Sequence, residues 1–189
     1  DTFQSLFKKT FDMDICKTIT SMDFDTNFIN KGINIDLDRY FESLSNGNRK
    51  LESIRSHLNN IIHEIEGKNK TDYIKLHETE KSGISLQCTS RRSTILKKQI
   101  EKGKFQVNLS FINDNNITEY FSFNPDIHVD KASGSNVTII NSEILSICNN
   151  IANAKQKMKD TLHSVYKNFI SSLENYNSYF QNLILFCSN

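Results

Sequence analysis

Between Arg91 and Lys104 the chain sets six cations, Arg91, Arg92, Lys97, Lys98, Lys102 and Lys104, against a single acid, Glu101. Ser93 and Thr94 add hydroxyls beside the two arginines. Guanidinium, ammonium and hydroxyl groups gathered at the start of a helix can hold phosphate oxygens, because they neutralise charge and donate hydrogen bonds without reading bases. The segment fits an amphipathic helix from about Arg91 to Lys102, with Ser90 able to cap it and Ile95, Leu96 and Ile100 turned inward. A solvated surface helix is the plainer reading on composition alone, and Lys68, Lys70 and Lys81, expected near the same end of the molecule, bring the phosphate reading level with it.

Other chemistry finds little footing. The five histidines are scattered, and His63-Glu64 lacks the second histidine of a zinc-protease helix, since position 67 is glycine. No GxxxxGK[ST], GxGxxG or GxSxG stretch offers a phosphate cradle, a dinucleotide turn or a hydrolase nucleophile. The four cysteines, Cys16, Cys88, Cys148 and Cys187, form no CxxC pair and read as reduced thiols. A net charge of +1 gives no global attraction to nucleic acid or membrane, so an electrostatic partner must be met by a local patch. No apolar run approaches the length of a membrane span, and no membrane partner is expected.

The elements that must carry the basic segment can be read from periodicity. Phe3, Phe7, Phe11, Ile15 and Ile19 form a helical stripe, followed by an irregular link from Asp23 to Lys31. After Gly32, with Asn34 as cap, Leu37, Leu44, Leu51, Leu58 and Ile65 recur every seven residues. Tyr40, Ile54 and Ile61 fall three places after their heptad partners and Gly47 takes the remaining slot, a seam that wants one partner helix. From Ser142 to about Phe186 a second apolar stripe runs through Ile144, Ile147, Ile151, Ala154, Met158, Leu162, Val165, Phe169, Leu173, Tyr176 and Phe180, unbroken by proline or glycine. An antiparallel pairing that sets Ile65 near Ile144 brings Leu37 near Ser172 and leaves Tyr176 and Phe180 for the stripe of Phe3, Phe7 and Phe11.

Between the two long helices the period changes to two. Residues 73–77, 83–88, 105–111 and 117–123 alternate apolar and polar and predict strands with one buried face, with Val137 to Ile140 as a fifth. Turn residues join them at Glu78 to Ser82 and at Asn113 to Asn116. The expected fold is mainly α with an inserted antiparallel β module, an α+β chain. A long antiparallel helical hairpin, residues 1–70 and 136–189, is expected to carry a β-rich subdomain, residues 71–135, at its tip. Leu183-Ile184-Leu185-Phe186, still apolar close to the last residue, reads as part of a longer protein.

Four segments in this order resemble the lever and clamp region of the MutS family of DNA mismatch-repair proteins. Phe11-Asp12-Met13-Asp14 and Phe28-Ile29-Asn30-Lys31-Gly32-Ile33-Asn34-Ile35-Asp36-Leu37-Asp38 are similar to the approach to the ascending clamp helix. Tyr73-Ile74-Lys75-Leu76 with Thr89-Ser90-Arg91-Arg92 resembles the clamp strands and their basic turn. Asn136-Val137-Thr138-Ile139-Ile140-Asn141-Ser142 leads into the descending helix as in MutS relatives of large DNA viruses and some mitochondria. The chain departs from the family where Asp72-Tyr73 replaces an aromatic Gly-Tyr-Tyr, and in a longer β module between Gly103 and Phe123.

The resemblance implies a noncatalytic piece of an intracellular machine, viral or mitochondrial in its branch. ATP and Mg are implied for the parent's ATPase domain, none for these residues. The implied partners are double-stranded DNA and a second parent subunit. The implied DNA-backbone site is Arg91, Arg92, Ser93, Thr94, Lys97, Lys98, Lys102 and Lys104. The rival expectation is a helical-hairpin scaffold or protein-interaction module with no nucleic-acid role.

Overall fold

The computed structural model describes residues 2–20, 24–67, 72–79, 83–103 and 106–187. Lys68, Lys70, Lys81, Lys104 and Phe105 lie outside the described residues. The fold is mixed α/β with antiparallel sheets and two long helices. Two compact units form, residues 1–41 with 155–189 and residues 42–154. The division falls inside both long helices, so each contributes to both units.

In the first unit, helices α1 (Thr2–Thr10) and α2 (Met13–Thr18) replace the single helix that the aromatic stripe predicts. The break has a local cause. Phe11 bridges to Ile29, and Asp12 turns its carboxylate onto the amides of Asp14 and Ile15, each at 3.0 Å, to cap α2. Helix α3 (Ile35–Glu66) opens as expected, with Asn34 Oδ1 accepting from the Leu37 amide at 2.9 Å. Gly32 precedes it at φ +90°, a left-handed conformation that a side chain would strain, and its amide donates to Asp38 at 2.8 Å.

Helix α5 (Ser142–Ser172) is followed by a 3-10 turn (Leu173–Tyr176) and α6 (Asn177–Cys187), so the expected unbroken helix tightens once, in its last third. Ser172 Oγ donates back to Phe169 O at 2.6 Å, the kind of side-chain bond that competes with the helical ladder. The N-terminal aromatics pack as the stripe predicts. Phe3 stands 5.4 Å from Tyr176 and 5.1 Å from Phe180 between ring centres, and Phe11 is 4.5 Å from Phe169. Lys159 reaches Asp25 at 2.8 Å.

The second unit is built around an antiparallel sheet in the order β1 (Lys75–Thr79), β2 (Gly83–Thr89), β6 (Asn136–Ile140), β5 (His128–Lys131). A separate antiparallel pair, β3 (Val107–Ile112) with β4 (Thr118–Phe123), runs in register from Val107 opposite Phe123 to Ile112 opposite Thr118. Its turn is made by Asn113, whose Oδ1 accepts from the amides of Asn115 and Ile117 at 2.9 Å, and by Asn116 at φ +59°. Helix α4 (Ser90–Lys102) follows β2 without a loop. One core joins Leu51, Ile54, Leu58 and Ile62 of α3 to Leu86, Cys88, Leu96, Phe123, Ile139, Ile144 and Ile151.

That core corrects three expectations. The heptad does not hold to its end: the buried stripe of α3 follows Leu51, Ile54, Leu58 and Ile62, steps of three, four and four, while Ile65 is exposed. The pairing register also differs. The expected alignment sets Gly47 against Leu162, yet Gly47 lies on Ile151, eleven positions earlier, so close that a Cβ there would stand 2.7 Å from Ile151 Cγ1. Glycine in the seam permits that approach, and the last turns of α3 meet Tyr73 and Ile74, just before β1, through Asn59 and His63. Finally, β1 is exposed along its whole length; the buried residues are Tyr73 and Ile74 just before it.

Candidate nucleic-acid interface

The basic helix is anchored by groups that the sequence suggested for binding. Thr89 occupies the cap position of α4 without a side-chain cap bond. Ser90 does not cap; it is the first helical residue, and its amide and hydroxyl both donate to Ser135 O, at 2.9 and 3.0 Å. Ser93 Oγ and Thr94 Oγ1 donate to Ser90 O at 2.8 and 3.1 Å. Ser93 is buried with Leu96 and so drops out of any surface site, while Thr94 stays exposed with its hydroxyl turned inward.

The cations divide into two groups. Arg92 is half-buried: its Nε lies 3.2 Å from Glu66 Oε2 and its guanidinium 4.1 Å from the centre of the Tyr73 ring. Arg91 Nη2 lies 3.2 Å from the other Glu66 oxygen, which is closed off from solvent yet receives no aligned hydrogen bond, so the contact is an ion pair by distance alone. Lys98 and Lys102 are exposed and Lys97 is half-buried; none of the three has an ion-pair partner among the described residues.

At 3.6 residues per turn, Arg91, Lys98 and Lys102 fall within an arc of about 40°, opposite Ser93, Leu96 and Ile100, and the row spans about 16 Å. Lys97 lies off this arc on the flank, and Glu101, exposed, borders it on that same flank.

Glu66 and Asn59 were not singled out from the sequence, and Tyr73 was read there only as part of a strand and a family motif. Glu66 ends α3 with its side chain only 13% exposed. Tyr73 receives Arg92 on its face and stands 5.0 Å from the His63 ring. Asn59, buried, accepts from the amides of Tyr73 and Ile74 at 2.8 Å each and donates to Ile74 O at 3.3 Å. Glu66 carried one legible signal: an acid in the last turn of a helix opposes the helix dipole, and so do paired arginines in the first turn of the next.

No family model and no curated protein matches the chain.

Burial pushes the Cys88 thiol up to about 11, against a smaller opposing effect from Arg92, so it stays protonated at neutral pH. Burial likewise raises Cys148. Among the described residues no group of three His, Cys, Asp or Glu side chains could hold a metal ion, and no helix is long and apolar enough to cross a membrane. What the arrangement offers is a row of exposed cations on an internally bonded helix, a surface that can contact a polyanion.

Proposed function

We propose that this chain is a lever and clamp portion of a MutS-like DNA mismatch-repair ATPase, and that it holds duplex DNA by its phosphates without reading sequence. The parent's ATPase, with its ATP and Mg, and pairing with a second parent subunit belong to the same proposal. The observation that carries it is the line of Arg91, Lys98 and Lys102 along one face of α4. Backbone contact requires cations at intervals and no base code, and a row of about 16 Å runs along a length of duplex that carries about nine phosphate charges on its two strands, only some of them on the facing side. Two long helices flanking a β-rich segment that contains the basic helix also support the lever and clamp reading.

The test is a salt titration of the 189-residue chain with a short duplex, followed by fluorescence anisotropy. Three phosphate contacts give a log-log salt slope of about −2.7, so that raising salt about fourfold weakens binding roughly 40-fold. Lys98→Ala/Lys102→Ala should reduce the slope to about −0.9, equally on two unrelated duplex sequences. An unchanged slope in that variant removes α4 from the site.

A protein-interaction module is the second reading, favoured by Ile112, Ile117 and Tyr120 exposed on the β3–β4 pair and its turn. It requires binding to a protein partner that is indifferent to salt.

A further inference from the structure

We infer that Glu66 is an internal competitor of the duplex: its carboxylate holds Arg91 in the free protein and yields it to a DNA phosphate on binding. The inference rests on the phosphate-binding reading of α4 and concerns how that site is regulated. Its own ground is the geometry of the Glu66, Arg91 and Arg92 cluster. Glu66 is the last residue of α3, at the partially negative end of that helix, and the two arginines stand in the first turn of α4, at its partially positive end. Each charge opposes its own helix dipole, and the cluster offsets both.

The two arginines are held unequally. Arg92 has Glu66 at 3.2 Å and the Tyr73 face at 4.1 Å, with its side chain 31% exposed. Arg91 is 82% exposed, and its one ion pair is unaligned for hydrogen bonding. A phosphate arriving from solvent along the Lys98 and Lys102 face meets Arg91 first, at the helix end whose dipole favours an anion. Handing Arg91 to that phosphate leaves Arg92 against Glu66, so the carboxylate is never stranded without a counter-charge.

A double-mutant cycle tests this, using the whole chain, a short duplex and one salt concentration of about 0.1 M. An ion pair whose arginine is largely exposed and unaligned for hydrogen bonding restrains that arginine only modestly, so Glu66→Gln should tighten binding about two- to five-fold. In the Arg91→Ala background the same substitution should bring no gain. Glu66→Asp keeps the charge but shortens the reach by one methylene, and it should also tighten binding. An equal gain from Glu66→Gln in both backgrounds would mean that Glu66 acts only through bulk charge and would overturn the inference. So would unchanged affinity in both Glu66 variants. Lys98→Ala/Lys102→Ala in the same series keeps the two ideas apart. If its salt slope fails to flatten, the phosphate reading of α4 falls; if it flattens while the Glu66→Gln gain persists without Arg91, the competitor alone falls.

Discussion

Asn59 is the residue whose removal should cost the second unit most per atom lost. Its Oδ1 accepts from two consecutive amides, Tyr73 and Ile74, and its Nδ2 donates to Ile74 O. All three residues are buried, Ile74 completely. Asn59→Ala removes the Oδ1 acceptor from two buried amides, while Ile74 O keeps a 3.3 Å bond from Arg55. An unsatisfied buried donor costs about 1–3 kcal/mol, and because the two amides share one acceptor the losses will not add fully, giving about 2–4 kcal/mol. Asn59→Leu separates hydrogen bonding from volume, since it fills the space and still strands both amides. Urea unfolding, followed through amide exchange of β2 and β6, reads the loss, with exchange of the Tyr73 and Ile74 amides as the local signal. A stability for Asn59→Leu within about 0.5 kcal/mol of the parent would refute the reasoning, because volume rather than pairing would then be what Asn59 supplies.

Two further predictions concern stability. Gly47→Ala gains up to about 1 kcal/mol of helix propensity but drives a methyl into Ile151 Cγ1, a stiff and buried side chain. Overpacking of that kind costs about 1–3 kcal/mol, so a net loss of about 1 kcal/mol is expected in urea unfolding, and any stabilisation would contradict the close approach. Glu52 accepts hydrogen bonds from Arg55, which hold its carboxyl below the usual 4.5; burial opposes this less strongly. A depressed folded-state value means that the contribution is present above about pH 4.5 and is lost as pH falls through the folded value. Glu52 is half exposed, which limits the effect to less than about 1 kcal/mol. Glu52→Gln should therefore lower the urea midpoint at about pH 7, and the difference from the parent should shrink as pH falls below about 4.5.

Legibility in the sequence followed the range of the interaction. The runs that became β2, β3, β4, β6 and α4 were readable because a period of two, a period of 3.6 and the turn residues are local signals. The contact of Phe3 with Tyr176 and Phe180 was readable because a stripe of aromatics four residues apart leaves one face to cover. β5 was missed: four residues long, with only Val129 half-buried, it exists through its pairing with β6, from His128 opposite Ile140 to Lys131 opposite Val137. The α3 register failed for a related reason. A heptad assumes one partner along the whole seam, but beyond Ile54 α3 meets Tyr73 and Ile74 through Asn59 and His63 and the α4 arginines through Glu66, a mixed cover that obeys no seven-residue rule. At the basic helix, composition gave the charge count and the inward face, but not that Ser93 is buried or that Arg92 is held by Glu66 and Tyr73, partners 26 and 19 positions away in the chain.

The near-neutral balance of the chain sharpens what the basic row can do. With a net charge of +1 there is no long-range field to hold a duplex, and the row must act at contact distance. At about 0.15 M salt the screening length is about 8 Å, half the roughly 16 Å between the Arg91 and Lys102 positions, so the ends of the row act as separate contacts. Their losses should then add, each removing about 0.9 from the salt slope. At about 0.01 M the screening length grows to about 30 Å and spans the whole row, its Glu101 neighbour and Glu66 behind it. Substitutions anywhere in that region should then look alike, responding to summed charge. A difference between Lys98→Ala and an exposed charge change off α4, such as Lys75→Ala, should appear at the higher salt and fade at the lower; a difference that grows as salt is removed would mean that the row is not read contact by contact.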